Sequence, residues 1–192
     1  MNIAILPILS YVFAVSISPG PANIMSASYG SEHGFFKAQR FVIGATLGFT
    51  ALTLAIVFGI NVVATEEVMQ LLRVGGSLYL MWVGFSIARS MSNVKIDGHQ
   101  EDAGFIKGFL LQWINPKSWI CSTVGVSAFC LNTESTIIFM LLYFPIVYLS
   151  LSFWSYSGDR IAKYLSDERY RKLFNWFLGG ALIATAAFIL FG

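Results

Sequence analysis

Long apolar runs alternate with short polar stretches along the whole chain, and the runs approach the length that crosses a bilayer. A spanning helix needs roughly 20 mostly apolar residues. Six segments come near that, over residues 3–29, 39–64, 68–89, 105–130, 135–157 and 172–191. Two are interrupted. Ser18-Pro19-Gly20-Pro21 breaks the first, and Asn115-Pro116-Lys117 breaks the fourth. Pro145 predicts a kink in the fifth. Loops are short except 90–104 and 158–171. Polar loop 92–104 divides a single transmembrane domain, residues 1–192, into halves of about 1–91 and 105–192.

Lysine and arginine set the orientation of such a chain. With six spans, loops one, three and five share a side. Their ten basic residues are Lys37, Arg40, Arg89, Lys95, Lys107, Arg160, Lys163, Arg169, Arg171 and Lys172, against one, Arg73, on the other side. That bias predicts cytoplasmic loops at 30–38, 90–104 and 158–171, with both termini outside.

The halves carry a faint repeat. Ser18-Pro19 matches Asn115-Pro116, and Gly75-Gly76-Ser77-Leu78 matches Gly179-Gly180-Ala181-Leu182. Three spans per half is an odd number, so the second half is inverted. Inverted repeats with broken helices in matching positions point to a transport site. The fold class is therefore all-α: a polytopic membrane protein of six transmembrane helices, built as two inverted three-helix repeats with helices 1 and 4 broken.

Composition agrees. The chain is 56% hydrophobic and 11% charged, whereas a soluble domain carries roughly 25% charged residues. The net charge of +2 gives no footing for nucleic acid. His33 and His99 are isolated, so neither a metal nor a cofactor is expected. Cys121 and Cys130 lie about 13 Å apart along one predicted helix and on opposite faces, too far to bridge.

The breaks carry the candidate chemistry. Proline removes a backbone donor and clashes with the carbonyl four residues back. Carbonyls freed at 17–20 are costly in hydrocarbon unless protein or a cavity satisfies them. Ser18, Pro19, Gly20, Pro21 and Asn23 are thus candidate site residues. A helix restarting near Asn23 presents free amides and a positive dipole end, which suits a carboxylate. A packing kink is the plainer alternative. Gln112, Asn115, Pro116 and Lys117 form the second break. Lys117 lies about 18 Å past the start of span four, near the middle of a core about 30 Å thick. A cation there costs at least about 2.5 kcal/mol and marks a functional site by default. The alternative is that it ties down carbonyls freed by the prolines. Gly44, Gly48, Gly75, Gly76, Gly179 and Gly180 are expected to serve helix packing. Signatures of hydrolases, nucleotide-binding loops and zinc proteases are missing from the sequence. An enzyme is not expected. The rival readings are an intramembrane enzyme and a non-transporting membrane subunit.

These residues resemble those of the LysE/RhtB family of amino acid exporters. The likeness runs through Ser18-Pro19-Gly20-Pro21-Ala22-Asn23, His33-Gly34-Phe35, Gly44-x-x-x-Gly48, Gly75-Gly76-x-x-Tyr79-Leu80-x-x-x-Gly84, Gly108-Phe109-Leu110 and Asn115-Pro116-Lys117. The stretches 33–49 and 111–115 look most like the branch that exports cysteine and O-acetylserine. The resemblance implies a secondary transporter in the cytoplasmic membrane that exports small amino acids on the proton gradient. It places the central site at Pro19–Asn23 and Asn115–Lys117. The expected partners are a small amino acid, a proton and membrane lipid, with a homodimer suggested by the glycine faces.

Overall fold

The computed structural model describes residues 5–59, 66–89, 103–162 and 167–191. Among them every regular element is helical. In chain order they are α1 (Ile5–Ile17), α2 (Pro21–His33), α3 (Phe35–Val57), α4 (Glu66–Arg89), α5 (Ala103–Ile114), α6 (Pro116–Phe129), α7 (Thr133–Ala162) and α8 (Glu168–Phe191).

Both expected breaks are present, and each follows from local chemistry. Pro21 and Pro116 occupy the first turns of α2 and α6, where a missing N–H costs nothing. Gly20 before α2 and Asn115 before α6 are both extended. The α1–α2 pair bends by 57°. Among the described residues, α3 and α7 can each cross a membrane by length and composition, and the bent α1–α2 pair is apolar enough to form either a broken third span or a re-entrant loop. The three further segments expected to span lie in α4, α5–α6 and α8. Of these, α4 and α8 open on charged first turns, Glu66-Glu67 and Glu168-Arg169.

Two helix ends run further than expected. Gly30 and Gly158 read as loop starts, yet α2 continues to His33 and α7 to Ala162. The glycines are contact points between those helices. A Cβ on Gly30 would meet the Ser155 carbonyl, and one on Gly158 the Ala27 carbonyl. The chain turns at Gly34 instead, whose φ of 80° suits a residue without a side chain. Helix α8 starts earlier than expected. Asp167 accepts from the Arg169 amide at 2.8 Å, an N-terminal cap, and Lys172 pairs with Glu168 at 2.7 Å.

Packing follows the glycines. The closest pairings are α3 with α5, α4 with α8 and α2 with α7. Gly44 and Gly48 lie against the backbone of Phe105 and Phe109. Gly84 and Gly179 lie against each other's carbonyls, and Gly76 against that of Ile114. A Cβ on Gly75 or Gly180 would meet nothing from another element within 4 Å. The exterior is apolar, with Leu6, Phe36, Leu141, Trp176 and Phe177 exposed. The interior holds Ser16, Asn23, Thr46, Gln112, Asn115 and Ser122. An apolar outside around a partly polar inside suits a multi-pass membrane protein.

Candidate functional site

The two breaks meet. The C-terminal end of α1 offers carbonyls that its own helix cannot satisfy. Side chains from three other elements take them up. Asn23 Nδ2 donates to Ser16 O at 2.8 Å. Trp154 Nε1, on α7, donates to Ile17 O at 3.1 Å. Lys117 Nζ donates to Ser18 O at 3.0 Å and to Ser18 Oγ at 2.9 Å. The carbonyls of Ser16, Ile17 and Ser18 are thus each paired, as a low-dielectric interior demands.

Lys117 therefore bridges the two halves of the chain, and its partners are neutral. Asp159 lies beside Gly34 at the α2–α3 turn. Gly20 makes room for the lysine stem. A Cβ there would stand 2.9 Å from Nζ and 3.0 Å from Cδ.

The helix starts beside Lys117 differ. Asn115 caps α6, its Oδ1 accepting from the Lys117 amide at 3.1 Å. Helix α2 has no side-chain cap. Its first internal bond runs from Ile24 N to Gly20 O. The amides of Ala22 and Asn23 precede that bond and have no partner within the helix.

A cavity of ≈ 40 Å³ lies at this junction, enough for water and little more. Of the expected site residues, Gly20, Pro21, Asn23, Gln112, Asn115 and Lys117 line it. Ser18 reaches it through Lys117. Pro19 is exposed and Pro116 is buried, both outside the lining. Sequence reasoning missed Ser16, Phe49, Ser118, Cys121 and Val147 in the wall. The expected packing glycines Gly44, Gly48, Gly75, Gly76, Gly179 and Gly180 lie outside the wall, although Gly76 stands beside Pro116.

Further along α6 the interior closes. Ser122 Oγ and Thr53 Oγ1 share a hydrogen bond of 2.8 Å. Tyr143 stacks on Phe139 at 4.9 Å and packs on Phe49 at 5.0 Å between centroids. Phe49 also lines the cavity, so this aromatic group packs against its wall.

Comparison with known proteins decides the family. The LysE type translocator family matches residues 13–192. The chain belongs to that family. Its members are translocators rather than enzymes. The chain is 32% identical over 126 residues to the cysteine/O-acetylserine efflux proteins of Escherichia coli O157:H7, Escherichia coli (strain K12) and Shigella flexneri serotype 5b (strain 8401). Each match covers 64% of this chain and 63% of the relative. No solved structure matches the chain.

Proposed function

We propose that this LysE-family chain is a secondary transporter exporting small neutral amino acids across the inner membrane. Cysteine-like and O-acetylserine-like solutes are the first candidates, and the proton gradient is the driving force. The observation that carries the reading is the ammonium of Lys117 beside the uncapped start of α2, inside a break shared by both halves. A point charge and two free amides make a two-sided seat for a carboxylate. The seat holds one cation and no acid in its wall, which disfavours dibasic substrates. In this conformation it is closed: Lys117 is bonded to Ser18, and the cavity is far below the roughly 300 Å³ at which small-molecule sites begin. A substrate carboxylate takes the ammonium from Ser18, which loosens the tie between the halves.

The same reading has six spans in two inverted repeats that rock about this seat. The packing supports it. Exchanging α1–α4 for α5–α8 in order turns the α3–α5 pair into α7–α1 and the α2–α7 pair into α6–α3. It turns α2–α3 into α6–α7 and returns α4–α8 and α3–α7 to themselves. All of these pairs are in contact. The efflux names of the relatives support the substrate class.

Efflux from preloaded cells or vesicles, run against a panel of amino acids, tests the proposal. Cysteine and O-acetylserine are expected to leave fastest. Preferential export of lysine or arginine overturns it. Orientation has its own test, in a background lacking Cys121 and Cys130. Asp97→Cys is expected to resist impermeant thiol reagents added outside intact cells. Labelling from outside reverses the assignment of the termini.

A further inference from the structure

A second cavity, of ≈ 360 Å³, opens between α2, α4 and α5. Its size lies within the roughly 300–1,000 Å³ of small-molecule sites. Its wall carries charges of both signs from three helices: Glu32 on α2, Arg89 on α4 and Lys107 on α5. All three are exposed. Ser28 Oγ donates to Glu32 Oε1 at 2.9 Å, and His33 Nδ1 stands 4.0 Å from Oε2. Arg89 lies over the Phe85 ring, 4.4 Å from its centroid. Among the described residues, neither Lys107 nor Arg89 forms an ion pair with a carboxylate.

One face of α2 runs from this cavity toward Lys117. Met25, Tyr29 and Glu32 line this cavity, and Ala22 lines the one at Lys117. Spacings of three, four and three residues put these side chains in one stripe. The stripe begins at an acid on the helix end that the basic-residue bias assigns to the cytoplasm. It ends at the free amides beside Lys117.

We propose that this vestibule is the docking site where a zwitterionic amino acid is captured before it moves to Lys117. The Glu32 carboxylate receives the α-ammonium group, and Lys107 with Arg89 receives the α-carboxylate. The inference rests on the export reading above. Capture at an exposed site governs how much substrate is needed, not how fast the loaded transporter turns over.

The test uses inside-out membrane vesicles and radiolabelled O-acetylserine and alanine. Glu32→Lys and Lys107→Glu are each expected to raise KM by at least about two- to fivefold, the worth of one exposed ion pair, with the maximal rate held. The double variant Glu32→Lys/Lys107→Glu, which restores one charge of each sign, is expected to recover most of the wild-type KM. Unchanged KM in both single variants, with wild-type vesicles transporting normally, overturns the vestibule and leaves the export reading standing. A double variant no better than the singles also overturns it. Wild-type vesicles that accumulate neither amino acid refute the export reading itself.

Discussion

Lys117→Met is expected to reach the membrane in near-normal amount and to lose efflux by a factor of roughly 10 to 100, the worth of one hydrogen bond to a charged group. Methionine keeps the length of the stem and removes the ammonium. Two effects on folding oppose each other. Ser18 O loses its donor, which costs about 1–3 kcal/mol when the group is buried. The protein is also relieved of desolvating an ammonium that has no counter-charge. Stability is therefore expected to change little, while the carboxylate seat loses its only cation. Ser18→Ala is the control, since it removes the 2.9 Å bond to Ser18 Oγ and leaves both the charge and the carbonyl. It is expected to keep most of the efflux. Abundance by immunoblot, thermal midpoint in detergent and efflux rate separate the possibilities. A Lys117→Met protein that is folded and exports at the wild-type rate ends the clamp reading. Joint loss of abundance, midpoint and efflux reduces Lys117 to a tie for the broken helix.

The parts of this site that were legible in the sequence are those written in a few adjacent residues. A proline in the first turn of a helix has a local signature, so the restarts of α2 and α6 could be read directly. A lysine amid apolar residues stands out in the same way. What the sequence hid depends on packing between distant segments. Trp154 satisfies Ile17 O across 137 positions, and no motif near residue 154 announces it. Ser16, Phe49 and Val147 enter the cavity wall because α1, α3 and α7 pack around α6. The neutral partner of Lys117 belongs between the two cases. A freed carbonyl was one of the expected partners, but the choice of Ser18 depends on where the bend of α1–α2 leaves that residue. Gly30 and Gly158 misled because a glycine near a polar stretch reads as a terminator. Here each allows a helix to continue while its partner's backbone passes close by.

That account of the glycines makes Gly158→Ala the most damaging small substitution expected in α7. The new Cβ would fall on the carbonyl of Ala27, with its carbonyl carbon at 2.8 Å and its Cα at 3.0 Å. These are backbone atoms inside α2, so no rotamer change relieves the overlap, and one helix must move off the other. Overpacking of this kind costs about 1–3 kcal/mol, occasionally more. Displacing α2 from α7 also moves Trp154 away from Ile17 O and leaves that carbonyl unpaired at the break. Gly158→Ala is expected to lower the thermal midpoint and the amount of protein in the membrane, with efflux falling in step. Gly30→Ala is expected to do the same, since its Cβ would fall on the Ser155 carbonyl. Gly75→Ala and Gly180→Ala are the contrast. Nothing from another element lies within 4 Å of either new methyl group, and alanine favours a helix by roughly 1 kcal/mol over glycine. Their midpoints are expected to hold or rise. Thermal unfolding of the four purified variants in one detergent checks the contrast. An unchanged midpoint for Gly158→Ala would show that α2 and α7 have slack at their crossing, and the close-approach account of the fold would fail there.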